Sequence, residues 1–118
     1  MLLAPTKTLV RAYIISAYDL ASRDNGGFSD PYLLISLGKK KFDDRENYLS
    51  DEPNPNFYKM IEFEAEFPGC PMLDITVMDY DLIFGDEAIG TTKVDLEDRF
   101  FSTEWQSLKH KPVEYRTL

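Results

Sequence analysis

The sequence predicts an all-β fold, an antiparallel β-sandwich of about eight short strands, on three observations. Apolar and polar residues alternate over short runs, most cleanly in Phe57–Phe67, where Ile61, Phe63, Ala65 and Phe67 fall on one face and Glu62, Glu64 and Glu66 on the other. Six glycines and seven prolines cluster between the apolar runs, as turn residues do. Runs with helical periodicity are nearly absent. With 118 residues, 43% of them hydrophobic and 14% aromatic, the chain suits one compact core and is unlike a disordered sequence.

The elements follow in order. Leu9, Val10, Ala12, Ile14 and Ile15 read as a first strand, closed by the turn-forming run Ser22-Arg23-Asp24-Asn25-Gly26-Gly27. Pro31–Gly38 is a second strand, Lys39-Lys40-Lys41 a turn, and Phe42–Tyr48 a polar edge strand. Pro53 and Pro55 make Ser50–Asn56 a loop, because proline cannot donate to a central ladder. Strands over Phe57–Phe67 and Met72–Met78 lead into an acidic loop, Asp79–Glu87. Ala88–Val94 is a further strand, Leu96–Phe101 a short helical turn, and Glu104–Leu108 and Val113–Leu118 two closing strands.

Charge narrows the partners. Thirteen Lys and Arg stand against 21 Asp and Glu, a net charge of −8, which repels nucleic acid and bare anionic membrane and attracts cations and basic proteins. The single cysteine, Cys70, excludes an intramolecular disulfide, and no Cys/His group has metal-ligand spacing. No stretch reaches the ~20 apolar residues of a membrane span, and Met1–Thr8 lacks the pattern of a signal peptide. A membrane anchor, if the parent protein has one, is expected elsewhere in it.

Two acidic groupings carry the chemistry. Asp24 and Asp30 flank a Gly-Gly pair in the first loop, while Asp79, Asp81, Asp86 and Glu87 crowd the later one. If both loops lie at one end of the sandwich, about five carboxylates converge, which is unfavourable unless a cation joins them. Oxygen donors from flexible loops suit Ca²⁺; Mg²⁺ demands a stricter octahedron, and transition metals favour the imidazole and thiolate that His110 and Cys70 would have to bring from outside both loops. The alternative for acidic loops is simple solvation.

Three segments bear a family likeness. Leu20-Ala-Ser-Arg-Asp24-Asn-Gly-Gly-Phe-Ser-Asp30-Pro31-Tyr32 resembles the first calcium-binding loop of C2 domains. Asn54-Pro55-Asn56-Phe57 resembles the Asn-Pro-X-aromatic turn of their second loop, and Asp79-Tyr-Asp81 followed by Glu87-Ala-Ile-Gly90 resembles the third loop and its exit. The likeness runs from about Leu9 to Leu108. Ile89–Ser102 together with Glu114–Leu118 is similar to a C2 domain of the ferlins, large membrane-anchored proteins with several C2 domains that act in calcium-triggered membrane fusion and repair.

The resemblance implies a single C2 domain over residues 1–118, with its core over about 8–118, and a type II order of eight strands. The short stretch before Thr8, set against a strand's worth of chain after Leu108, favours that order. The resemblance also implies that the domain is one module of a larger protein. Asp24, Asp30, Asp79 and Asp81 match the family's calcium ligands, and the backbone carbonyls of Arg23 and Tyr80 would add to them. Glu87 stands where the family usually has a fifth Asp, so either Glu87 or the adjacent Asp86 completes the set. Phe84 occupies a position that is often a polar contributor to an outer ion, which makes two Ca²⁺ the expectation rather than three.

Phe28 at the tip of the first loop, and Leu82, Ile83 and Phe84 at the tip of the third, are expected to enter a membrane; the competing reading folds Leu82 or Ile83 back into the sandwich. The implied function is calcium-dependent binding to anionic phospholipid at the cytoplasmic face of membranes, in fusion, trafficking or repair. Calcium would act as an electrostatic switch. The alternative is a calcium-regulated or calcium-independent module that contacts other C2 domains or basic proteins. An enzyme using Asp79 and Asp81 as acid and base is not expected, since no nucleophile or pocket accompanies them. Lys39–Lys41 is read as a solvated turn rather than a phosphoinositide site.

Overall fold

Two antiparallel sheets face each other in the computed structural model, which describes residues 4–22 and 27–118. The described residues form six strands: β1 (Thr6–Ser16), β2 (Pro31–Leu37), β3 (Lys40–Asp43), β4 (Asn56–Phe67), β5 (Leu73–Asp79) and β6 (Glu87–Val94). One sheet pairs β1 with β4, and the other runs β3-β2-β5-β6. Two short helices follow, α1 (Leu96–Phe100) and α2 (Thr103–Ser107).

Alternation decides what faces inward. On β4, Ile61, Phe63, Ala65 and Phe67 are buried while the intervening glutamates are exposed, and the register sets Val10 of β1 opposite Phe63 and Ala12 opposite Ile61. β2 is flanked on both edges, so it is apolar on nearly every residue: Leu33 and Ile35 are sealed from solvent between β3 and β5. Each such side chain contributes ~1.5–3 kcal/mol through burial. Leu73 and Val77 of β5, with Val94 and Leu96, close the core, and Phe100 of α1 stacks on Phe67 at 4.3 Å. β1 pairs along one edge only, and its inward Val10, Ala12 and Ile14 are accordingly half-buried.

Three of the expected strands differ in the structure, each for a local reason. Phe42–Tyr48 is not a continuous strand: the ladder stops at Asp43, whose carboxylate accepts the Arg45 N–H at 3.0 Å and starts a 3-10 turn over Arg45–Asn47. Glu104–Leu108 is not a strand but lies largely in α2, because Ser102 Oγ caps the Trp105 N–H at 3.1 Å and Glu104 sits in the helix's first turn. Val113–Leu118 forms no ladder. Instead the Arg116 guanidinium reaches Thr92 Oγ1 at 2.8 Å and takes the Lys93 carbonyl at 2.7 Å, with Glu114 bridging Arg116 and Arg99. Six strands rather than eight are therefore present among the described residues. The helical turn expected over Leu96–Phe101 is α1, capped by the Asp95 carboxylate.

The register fixes the two ends of the sandwich. Pro31 of β2 pairs with Asp79 of β5, and Asp79 pairs with Glu87 of β6, so the loops after β1 and β5 emerge at one end. The β2–β3 turn lies at the other, the end expected for the lysines, but it is confined to Gly38-Lys39: Lys40 and Lys41, expected in the turn, pair with Leu37 and Ser36 as the exposed start of β3. No helix among the described residues is long and apolar enough to cross a membrane.

Burial and exposure make opposite forecasts for two isoleucines. Ile35→Ala should lower unfolding free energy by about 2–5 kcal/mol in denaturant titration. Ile83→Ala, at a position 81% exposed, should change it by less than about 0.5 kcal/mol.

Candidate metal-binding loops

The second loop, between the 3-10 turn and β4, is the hub on which the first is built. Ala17 N–H donates to the Pro55 carbonyl and Leu20 N–H to the Pro53 carbonyl, both at 3.0 Å, and the buried Leu20 side chain anchors that crossing in the core. Asn54 Oδ1 accepts the Asp19 N–H at 2.9 Å, where Asp19 adopts a positive φ of 55°. Asp and Asn tolerate that conformation. Glu52 N–H donates to the Ser29 carbonyl at 2.9 Å, and Asp51 N–H donates to Asp30 Oδ1 at 2.7 Å while Asp51 Oδ1 accepts the Phe28 N–H at 3.2 Å.

The third loop joins this frame through Asp30 and Asp79. Asp30 N–H donates to Asp79 Oδ1 at 2.8 Å, and Tyr80 N–H donates to the Asp30 carbonyl at 2.9 Å. Asp81 Oδ1 then accepts the Ile83 and Phe84 N–H groups at 2.9 and 3.0 Å, turning the chain sharply at the tip, and Gly85 leaves the turn at φ 86°. The outcome is a row of carboxylates across three adjacent strands. Asp79 sits directly opposite Glu87, with Asp30 one residue before Pro31 in the same register. Like charges directly opposite one another on a sheet are destabilising.

Asp86 stands apart from that row. Its Oδ2 accepts the Tyr32 hydroxyl at 2.5 Å and Arg45 Nε at 2.7 Å; its Oδ1 accepts the Asp81 N–H at 2.8 Å, with Arg45 Nη2 at 3.4 Å. The Arg45 guanidinium also lies 4.5 Å over the Tyr80 ring, which stacks on Tyr48 at 3.9 Å. The hydrogen bond from Arg45 holds the Asp86 carboxyl down at about 2, against the opposing pull of desolvation. Burial, then the hydrogen bond to Asp86, pushes the Tyr32 hydroxyl well above its ordinary value.

Asp30, Asp79, Asp81, Asp86 and Glu87 thus gather at one end, as the sequence leads one to expect, while Asp24 and Arg23 lie outside the described residues. Among the described residues no three His, Cys, Asp or Glu side chains converge closely enough to hold a metal by themselves. The carboxylates are turned onto backbone N–H groups. Their chemistry nevertheless fits a hard cation, since every side-chain donor in the row is a carboxylate oxygen. Ser29 Oγ, beside Asp30, is buried without a hydrogen-bond partner among the described residues. The apolar tips stand clear of the sandwich: Leu82 is 76%, Phe84 88% and Phe28 50% exposed, so none of them folds back.

A C2 domain model matches residues 8–113. The chain is a C2 domain. It is 43% identical over 98 residues both to Fer-1-like protein 4 of Mus musculus and to myoferlin of Homo sapiens, covering 83% of this chain and 5% of each relative. The chain therefore spans about a twentieth of their length. A structure of two C2 domains of extended-synaptotagmin 2 matches with a TM-score of 0.70 and 26% identity, covering 83% of this chain and 34% of that one. The calcium-bound form of the same pair matches at 0.68 and 26% identity, covering 76% and 35%.

Sequence reading missed three parts of this C2 domain's loop frame. Asp51 carried a signal, an acidic residue in the loop beside two prolines, whereas Tyr32 and Arg45 carried none, because their partner Asp86 is 54 and 41 positions away.

Asp86 also sets a pH dependence in metal-free buffer. Its folded-state carboxyl lies below its unfolded value of 3.8, so its contribution to stability is fully present above about pH 4 and fades as pH falls toward about 2. Denaturant titrations from pH 5 to pH 2 should show a shallower loss of stability in Asp86→Asn than in the wild type.

Proposed function

We propose that this C2 domain binds anionic phospholipid membranes in a calcium-dependent manner through the loops at the β2–β5–β6 end. The register that sets Asp79 opposite Glu87, with Asp30 beside them, carries this reading, because it concentrates carboxylate oxygens, the donors a hard cation prefers, at one end of the sheet. The proposed holders are the carboxylates of Asp24, Asp30, Asp79, Asp81 and Glu87 and the backbone carbonyls of Arg23 and Tyr80, with two ions in all. Calcium-bound extended-synaptotagmin 2, similar in fold, supports the choice of ion. Bound Ca²⁺ supplies the positive charge that turns an acidic loop end into a surface attractive to lipid phosphate.

The chain's own residues do the rest. Phe28, Leu82, Ile83 and Phe84 are presented past the carboxylates, where they enter the headgroup boundary once the charge at the loops permits approach. In the absence of cation the carboxylate row and the net charge of −8 hold the domain off anionic lipid. No catalytic role is proposed. The likeness to ferlins supports placing the domain as one module of a larger multi-C2, membrane-anchored protein that acts at the cytoplasmic face in fusion, trafficking or repair.

Calorimetric titration with calcium, repeated with phosphatidylserine vesicles, tests the reading. Binding should tighten with lipid, since each ligand must strengthen the other reciprocally. Asp79→Asn with Asp81→Asn should abolish it; calcium-dependent vesicle binding that survives in this double variant overturns the proposal, and absence of calcium binding in the wild type favours the protein-interaction module. Replacing Leu82, Ile83 and Phe84 together by serine should weaken vesicle binding about tenfold or more while leaving calcium binding in solution intact.

A further inference from the structure

Asp86 is surrounded by donors from β2, from the 3-10 turn and from its own loop. An ionised carboxylate offers about four lone-pair sites. Three close donors and a fourth at 3.4 Å already surround Asp86: the Tyr32 hydroxyl, Arg45 Nε, the Asp81 N–H and Arg45 Nη2. Little accepting capacity is left for a metal. The donors are also held from behind. Tyr32 is buried in β2, and Arg45 is fixed by its own N–H to Asp43 and by the neighbouring Asp44, whose N–H donates to Leu33 of β2 at 3.0 Å. The guanidinium is further seated on Tyr80, the residue between the two carboxylates Asp79 and Asp81.

We propose that Asp86 is a latch and not a metal ligand: clamped by Arg45 and Tyr32, it grips the Asp81 N–H and so fixes the third loop in the conformation that presents Asp79, Asp81 and Glu87 together. The contact between Asp86 Oδ1 and Asp81 N–H closes the loop from both sides of the tip, so residues 82–85, including the apolar residues, are carried on the closed segment. Arg45 and Tyr32 are positioning residues that act through Asp86, 41 and 54 positions away. Arg45 thereby serves as an internal counter-charge: it neutralises the one acidic side chain of the loop that the metal does not need. Preorganisation of this kind lowers the ordering cost of binding. The consequence for metal affinity rests on the calcium reading of the loops; the latch itself does not.

The test therefore has two arms, on the full chain, with circular dichroism confirming that each variant is folded. In metal-free buffer, amide hydrogen exchange at Asp81, Ile83 and Phe84 should speed up about tenfold in Asp86→Asn and in Arg45→Gln, with a smaller change in Tyr32→Phe, which removes a single O–H. Glu87→Gln should leave that exchange unchanged. In calcium calorimetry, Asp86→Asn and Arg45→Gln should each weaken affinity several-fold with the number of ions unchanged, the double variant should be no worse than either single, and Arg45→Lys should recover part of the loss. Glu87→Gln should cost far more affinity or lower the number of ions. The proposal is overturned if Asp86→Asn reduces the number of ions bound or abolishes binding as Glu87→Gln does. It is equally overturned if exchange at the three amides is the same in the wild type, Asp86→Asn and Arg45→Gln. Should the wild type bind no calcium, the functional reading falls while the exchange arm still decides the latch: faster exchange sustains it and unchanged exchange removes it.

Discussion

Everything at the loop end depends on one electrostatic constraint, the crowding of carboxylates that strand register imposes. Pairing β5 with β2 and β6 fixes Asp79 between Pro31 and Glu87, and Asp30 follows from the first of those pairs. None of the three can leave without breaking a ladder that also places Leu33, Ile35, Leu73 and Val77 in the core. A one-residue slip would turn each of those side chains to the wrong face. The hydrophobic core therefore enforces the unfavourable charge arrangement, and the cost of that arrangement is borne by packing elsewhere.

Among the described residues, hydrogen bonds and an ion pair both moderate the crowding. Backbone N–H groups are aimed at carboxylate oxygens: Asp30 N–H at Asp79, Asp51 N–H at Asp30, and Ile83 and Phe84 N–H at Asp81. Hydrogen bonds to ionised acceptors are stronger than neutral ones and favour the charged form. Arg45 supplies the ion pair, a full positive charge placed on Asp86 alone. A backbone hydrogen bond stabilises a carboxylate without neutralising it, whereas the guanidinium offsets the charge of Asp86.

The division between what the sequence reveals and what it conceals follows the range of the interactions. The strands of the sheet core were legible because alternation in Phe57–Phe67 and the apolar run Pro31–Leu37 are local patterns with a single burial solution. The acidic row was legible because its members sit in two short segments whose spacing resembles that of known C2 loops. The Phe42–Tyr48 and Glu104–Leu108 segments depart from strand where one local hydrogen bond, accepted by the side chain of Asp43 or Ser102, redirects a segment whose pattern is neutral between states. The expected strand at Val113–Leu118 failed for a different reason. Its β-forming residues are there, but it is the Arg116 side chain that takes the Lys93 carbonyl of β6, and Glu114 ties that arginine to Arg99. Tyr32 and Arg45 were invisible because neither type of residue is unusual in a strand or an edge segment; only the fold brings them to Asp86.

Charge and apolar exposure at this end are two halves of one arrangement. Leu82, Ile83 and Phe84 are held out in water by a turn that Asp81 caps and Asp86 closes, so the residues proposed to meet a metal and those proposed to meet lipid share one short piece of backbone. In the proposed function, a cation drawn to Asp81 would act on the same carboxylate that orders the tip, and a tip seated in lipid would restrain the same carboxylate in turn. Coupling between the two ligands then requires no movement of the sheets and no distant pathway. The β2–β5–β6 ladder holds the base of the loop, Arg45 and Tyr32 hold its returning limb, and the few residues between carry both the Asp81 carboxylate and the apolar tip.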